Sequence, residues 1–562
     1  MTLDGFLTFL TLAVAIYALV PPVTKLRAKL GFAVQLVIAT SALLLVLYLE
    51  FFELFAQPCP SGLGSVCRIL ELPPGGSQAP QQFAFLVVLL WMLVAWAVHS
   101  ISKPGPRTLP SMYKLVNELI YERQFAEVLK LIEPSLPLVE RAAKRRLRLQ
   151  RWHDYLDAVR AKRHELHTLL NISALDIERI EAVWGWMPLG LRRAIGGLSA
   201  FIPPHHKAEN AAKDIARVLF NSQELRIYAS KMRPYFALAL LRIDLFGRHD
   251  FSDAYFTALI SDEHSVLYEE LIQNQNSSSR DGYYIPESNR LLHFLFDDPN
   301  VAMQLEVYRP VGEYLLKLMR SDDPSGLVSF LNKSAKDFAD EQWKNPIFVG
   351  MFFFEVMVTT AAYKGVEWHM WLYYFPHFVE RLLDTYDASD PSVKNDDEFP
   401  TRGARLIYEA VDLLGRWVAL VSDLPDGAHH SRINACVGEG WHNGNIPISA
   451  ARALGSCMAL IASSSAISHE FARYINECVL RDIDGLSREG DVGALRSFLV
   501  RSIVKGGQQS VGNSYGLKLA EFWDEADHSL CDGLNDYEAA LREEYPGILV
   551  RQRSLTPPPV SP

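Results

Sequence analysis

Cysteine is scarce, with six among 562 residues. No two of them form a CxxC pair, so neither a zinc knuckle nor a thioredoxin-like site is supported, and six thiols in so long a chain make no disulfide framework. Positive charge is also in deficit. The 55 Lys and Arg against 65 Asp and Glu leave a formal net charge of −10, which argues against a general nucleic-acid binder. The 33 Gly and 31 Pro follow no period, which excludes a collagen-like chain. Alternating strand patterns bounded by turns are few, so a parallel sheet with a ligand-binding switch point is not expected.

Apolar residues are abundant. At 49% hydrophobic, 11% aromatic and 21% charged, the chain has enough apolar surface to offset the entropy of ordering, and only residues 550–562 read as a disordered tail. The length exceeds what one core usually organises, so several lobes or domains are expected. The fold class expected is mainly α: a three-helix transmembrane module at the amino terminus, followed by a large all-α region built as a bundle or solenoid.

The transmembrane module, residues 1–102, rests on three apolar runs at 3–20, 31–49 and 83–98. Each approaches the ~20 residues an α-helix needs to cross the hydrocarbon core. Pro21 and Pro22 end the first run, and Asp4 stands where a cleavable signal peptide would carry basic residues. Lys25, Arg27 and Lys29 lie between the first two runs, and Lys103, Arg107 and Lys114 follow the third, whereas the loop 53–82 holds only Arg68. Because cytoplasmic loops retain Lys and Arg, the amino terminus is expected outside and the long carboxy-terminal region in the cytoplasm. A multi-pass protein of the cell membrane, such as a bacterial inner membrane, fits this arrangement. Cys59 and Cys67, in the Pro- and Gly-rich outer loop, are expected to form a disulfide there.

One further apolar run, 347–363, is interrupted only by Glu355. A carboxylate at the middle of a span costs about 2.5 to 3.5 kcal/mol on insertion scales, so a buried core helix is expected instead of a fourth span.

Residues 103–110 (KPGPRTLP) read as a short stiff linker. From 113 to 132 the apolar residues Leu115, Leu119, Phe125, Leu129 and Ile132 recur at helical spacing around the polar break 121–124, which predicts a helical hairpin. A long helix is expected over 136–170, with Leu149, Trp152, Leu156, Val159, Leu166 and Leu170 along one stripe. Helical periodicity continues through 210–274, 289–319, 324–340, 366–386, 402–424, 448–481 and 493–504. The polar loop 273–284 and the acidic loop 387–400 divide the region into three expected α-helical lobes: 111–272, 285–386 and 402–549.

Residues 141–163 hold nine Lys and Arg against Asp154 and Asp157. Residues 1–102 are neutral in sum, so the rest of the chain is strongly acidic. Arg141, Lys144, Arg145, Arg146, Arg148 and Arg151 point nearly all round a helix. They are expected to meet anionic lipid headgroups or a partner, with about 1 kcal/mol per residue available near a membrane surface, and nucleic acid is a second, less favoured reading. Pairing with acidic groups of the same chain is the competing expectation.

Motifs for catalysis are weak. A literal GxSxG places Ser514 between Gly512 and Gly516, with Asp524, Asp527 and His528 downstream, but a nucleophile elbow needs a preceding strand and a histidine from a distant loop. The phosphate-loop mimic at 507–514 has Asn513 where lysine is required. His164 and His167 are three apart, not four, and His205–His206 and His429–His430 are adjacent, so no metal site is expected. Trp441 and His442 sit among glycines in a turn-rich stretch that suits a ligand-facing loop or an ordinary connection equally. No cofactor is expected.

The function these features favour is a membrane-anchored α-helical sensor or scaffold without catalytic chemistry. Its expected partners are the lipid bilayer, a protein of unknown identity and further copies of the chain. A pore-forming effector gated by the helical body is the second expectation, and a serine hydrolase using Ser514 the third.

Overall fold

The computed structural model describes residues 11, 32–50, 85–94, 105–144, 147–160, 188–196, 206–243, 247–279, 282–320, 326–367, 370–394, 397–425, 427–433 and 444–548. The described chain is mainly helical. Its only strands among the described residues are Ser278–Ser279 (β1) and Gly282–Tyr283 (β2), paired antiparallel. The chain divides into two compact units: Met1–Leu225 with Ile243–Gly247, and Arg226–Arg242 with Arg248–Pro562. The expected lobe boundaries at the two polar loops are not where the contacts divide.

In the first unit, Phe32–Glu50 (α1) lies in the second apolar run and Phe85–Val94 (α2) covers part of the third, but the expected three-helix module is not supported: among the described residues the helices long and apolar enough to cross a membrane are Pro346–Tyr363 and Ile446–Ser463. Val46 and Val88 are buried against one another, with Leu43, Val87 and Trp91 packed around them. The first apolar run and the Cys59–Cys67 pair lie outside the described residues, apart from a helical Thr11.

Leu109–Tyr121 (α3) and Phe125–Ile132 (α4) form the expected hairpin. Arg123 breaks the helix with φ 59, the left-handed conformation that ends helices, and the Gln124 amide returns to the Leu119 carbonyl. Leu136–Ala143 (α5) starts with Pro137 in its first turn. The single helix expected over 136–170 is corrected here. Helix α5 stops at Ala143, and Arg148–Arg160 (α6) begins a new one. The cause is phase. Leu136, Val139, Ala143 and Leu147 are buried, but the same stripe continued would bring Gln150 or Arg151 inward. In the restarted helix Val159 is buried and Leu156 half-buried, whereas Trp152 of the expected stripe is exposed. Residues 161–170 lie outside the described residues. His206–Asn221 (α7) covers α3 and α5 with an alanine-rich face, Ala208, Ala211, Ala212, Ile215, Ala216 and Leu219, all buried.

The second unit is organised around Pro346–Tyr363 (α12). Among the helices preceding it, Arg248–Ile260 (α8), Val266–Asn274 (α9), Arg290–Phe296 (α10) and Tyr308–Leu318 (α11) pack on it, as does the short Pro299–Gln304. The Asn345 side chain caps α12 by accepting from the amides of Ile347 and Phe348 at 2.8 and 3.4 Å. Helix α12 is long and apolar enough to cross a membrane, yet fourteen of its residues are buried against the protein. It is the core helix expected for 347–363. Tyr374–Asp384 (α13), Arg402–Ala419 (α14) and Ile446–Ser463 (α15) follow. Helices α13, α14 and α15 pack on one another, so the expected lobes 285–386 and 402–549 share one core. Phe353, Phe354, Trp371, Phe375, Phe378 and Trp417 form its aromatic centre.

His469–Asp484 (α16), Gly490–Val504 (α17), Asn513–Glu525 (α18) and Asn535–Glu544 (α19) complete the unit. Helices α15 and α17 approach so closely at Gly455 that a Cβ there would strike the Ser502 carbonyl. Arg496 is buried at 2% exposure and makes five hydrogen bonds. It grips both carboxylate oxygens of Asp536 at 2.7 and 2.9 Å and donates to the carbonyls of Ile483, Leu486 and Gly533.

Candidate functional site

A carboxylate inside an apolar helix needs a local partner or a reason to be charged. Glu355 sits near the middle of α12, and its side chain is only 11% exposed. Its Oε1 accepts from Arg416 Nη1 at 2.6 Å and from the Tyr283 hydroxyl at 3.0 Å. Burial pushes the Glu355 carboxyl above its ordinary range despite the opposing pull of the Arg416 cation and the Tyr283 hydroxyl.

These groups line a cavity of about 320 Å³. Helical spacing builds two of its walls. Phe348, Met351, Phe352 and Glu355 form one face of α12, and Glu409, Leu413 and Arg416 form one face of α14. The short hairpin supplies Ser278 and Tyr283, and Gln342 and Trp343 precede α12. Trp343 stands edge-on to Phe348 and Phe352 at ring separations of 5.3 and 5.2 Å, and Tyr283 meets Phe352 edge-on at 6.2 Å.

The charges form a chain. Arg416 also binds Asp412 through Nε at 3.0 Å, and Arg405 binds Glu409 at 2.5 Å. Behind this row, burial and the charge of Asp412 push the Asp482 carboxyl up to about 6. Gly415 leaves room for Asp482, because a Cβ at that position would strike its Oδ2. The lining offers carboxylate acceptors, a guanidinium and aromatic rings around the cavity.

No known family matches this chain. Neither the curated proteins nor the solved structures compared with it gave a match. The site must therefore be read from its own geometry.

A second cavity of about 270 Å³ is lined by Tyr235, Arg242, Arg290, His293 and Phe294 among others, with the Arg290 guanidinium 4.3 Å from the Tyr235 ring centre. Beside it, the buried Glu270 accepts from the amides of Leu291 and Leu292 at 3.0 and 2.8 Å. It thereby caps α10 from another helix.

The residues singled out from sequence fall elsewhere. In the basic segment, Arg141 donates to the Pro137 carbonyl at 3.0 Å, Lys144 pairs with Glu140 at 3.0 Å, and Arg151 is exposed. Arg145 and Arg146, and the side chain of Arg148, lie outside the described residues. Ser514 is exposed at the second position of α18, and the preceding turn packs on α15 with no strand leading into it. His528 opens the next short helix, capped by Asp527. The strand–turn–helix that a nucleophile elbow needs is missing at this point.

His430 is fully buried and structural: its Nε2 lies 3.0 Å from the Val366 carbonyl, while the Ile446 amide donates to Nδ1 at 3.2 Å. Burial drives its pKa down to about 4. His429 lies 3.6 Å from Glu367, and His206 lies 3.9 Å from Glu209. His164, His167, His205, Trp441 and His442 lie outside the described residues. His469, Glu521 and Glu525 bring three potential ligand atoms within 4.8 Å of one another, but Lys518 pairs with Glu521 and Arg473 approaches Glu525. Cys457 and Cys531 are buried and Cys478 is half-buried; Cys436 lies outside the described residues.

The sequence signal for the cavity was one acid in an otherwise apolar run. Its partners, Tyr283 and Arg416, lie 72 and 61 residues away, and no local pattern links them.

Proposed function

We propose that this chain is an integral membrane protein whose α-helical body binds a ligand or partner and has no catalytic chemistry of its own. The observation that carries the membrane reading is the pairing of α1 with α2. These helices meet through Val46 and Val88, yet leave Val37, Leu44, Leu45, Phe85, Leu86, Leu89, Leu90, Met92 and Leu93 exposed. Helix α1 is apolar on every side, with no charged residue before Glu50. In water such a surface is an aggregation hazard; in hydrocarbon it is satisfied. The two long apolar helices of the second unit are covered by protein and have no such need.

The distribution of Lys and Arg puts the amino terminus outside and the helical body in the cytoplasm. The basic residues Arg141, Lys144, Arg145, Arg146, Arg148 and Arg151 then meet anionic headgroups. The binding role rests on the Glu355 cavity, where a partly buried charge network and aromatic walls surround an accessible volume.

Alkaline carbonate extraction of membranes from expressing cells tests the anchor. The full chain stays in the pellet, and its release into the supernatant refutes the assignment. Protease added to intact spheroplasts leaves the helical body uncut; digestion from outside reverses the topology. Charge reversal at Arg141, Lys144 and Arg151 weakens flotation of the detergent-depleted protein with anionic vesicles, and unchanged flotation removes the headgroup contact.

A further inference from the structure

We propose that the cavity beside Glu355 binds a small organic cation, an ammonium or guanidinium group on a short apolar stem; the assignment rests on the binding role given above to the helical body. Both hydrogen bonds that Glu355 receives fall on Oε1, from Arg416 and Tyr283. Its Oε2 remains as the acceptor for a further donor inside a cavity that Glu355 itself lines. Glu409 lines the same cavity and is only 16% exposed, with Arg405 bonded to its Oε1.

The local balance of charge is negative. Glu355, Glu409 and Asp412 meet the two guanidiniums of Arg405 and Arg416, and Asp482 adds a further carboxyl beside them at Gly415. An anion would find Arg416 as the cation of the lining, already shared between Glu355 and Asp412. Beside Glu355 the cavity is lined by the aromatic rings of Trp343, Phe348 and Phe352, a residue type that attracts cations and also packs against an apolar stem. A volume of about 320 Å³ suits a ligand of this small size.

Isothermal titration of the full chain in detergent tests the assignment with four probes: benzylammonium, butylguanidinium, benzyl alcohol and benzoate. The two cations are expected to bind at least about tenfold more tightly than the alcohol, and benzoate not to bind. Glu355→Gln weakens cation binding about tenfold or more, and Trp343→Leu weakens it severalfold. Should Glu355→Gln fail to fold, judged by its helical circular dichroism and melting, Glu409→Gln supplies the same test with a severalfold loss.

Absence of heat from either cation up to about 10 mM overturns the assignment, as does equal binding of cation and alcohol, or unchanged affinity in a folded Glu355→Gln. Benzoate binding lost in Arg416→Met also overturns it, leaving the general binding role intact. Carbonate extraction of the same preparation keeps the anchor separate. A protein retained in membranes that ignores cations refutes the ligand class alone, and a cation binder released by carbonate refutes the anchor alone.

Discussion

Removing either end of the Glu355–Arg416 pair has unequal consequences. Arg416 is 51% exposed at the side chain and Glu355 only 11%. In Arg416→Met the carboxylate stays in place with the Tyr283 hydroxyl as its remaining donor of the two. Breaking a fully buried pair costs about 3 to 5 kcal/mol; the open side of this cavity provides screening, so about 2 kcal/mol is expected here. In Glu355→Leu the freed guanidinium turns toward solvent and keeps Asp412. Tyr283 loses its acceptor, about 1 kcal/mol, and added apolar burial offsets much of that. The double variant should therefore resemble Glu355→Leu, giving a coupling energy of about 1 to 2 kcal/mol.

Native-state hydrogen exchange of peptides from α12 in the full chain measures this, because it reports opening of that helix directly. The pH dependence follows from the direction of the shift. Removing Arg416 raises the folded-state pKa of Glu355 further above its unfolded value. The penalty therefore grows as pH rises from the folded-state pKa of the parent chain to the higher one of the variant, is complete above that, and vanishes in acid. Equal effects of the two single variants, additive effects in the double variant, or an Arg416→Met penalty larger at pH 5 than at pH 8 would refute the reasoning.

Three other outcomes are expected. His430 has a folded pKa of about 4 against an ordinary 6.5, so its contribution is complete above pH 6.5 and is lost as pH falls toward 4, by about 3 kcal/mol; urea titrations should show this slope and its flattening in His430→Gln. Asp482 has the opposite sign. Its folded pKa of about 6 exceeds the ordinary 3.8, so its ionisation destabilises the fold as pH rises through that window, and Asp482→Asn should raise the urea midpoint at pH 8 but not at pH 4. Solvent reaches this side chain, which limits the gain to about 1 kcal/mol, and an unchanged midpoint at pH 8 would contradict the assignment. Arg496→Lys keeps a charge but cannot reproduce two parallel bonds to Asp536 plus three to carbonyls, so a loss of about 3 kcal/mol is expected in chemical denaturation; a loss under 1 would show that Asp536 and the carbonyls find other donors.

Local pattern carried some elements and failed at others for identifiable reasons. The α3–α4 hairpin was legible because apolar spacing and the polar break 121–124 agree. The 347–363 helix was legible as core because Glu355 made a span expensive. The join between α5 and α6 was not legible. The 136–170 pattern fits one helix by composition, and only tracking the phase from Val139 through Leu147 reveals that the stripe turns polar at Arg151. The lobes were a provisional division of what could equally be one helical body. Polar loops at 273–284 and 387–400 mark turns, but α12 draws its neighbours from both sides of each, and that closure is a long-range event. The cavity depends on the same closure, since its walls come from β2, α12 and α14.

The grip of Arg496 on Asp536 sets a limit on how this chain can be shortened. A truncation that removes α19 would take away Asp536 and leave the buried Arg496 guanidinium with the carbonyls of Ile483, Leu486 and Gly533 but no counter-charge. The end of the fold is thus a bolt holding earlier helices shut, and fusions belong beyond Ile548, never in place of the final helix.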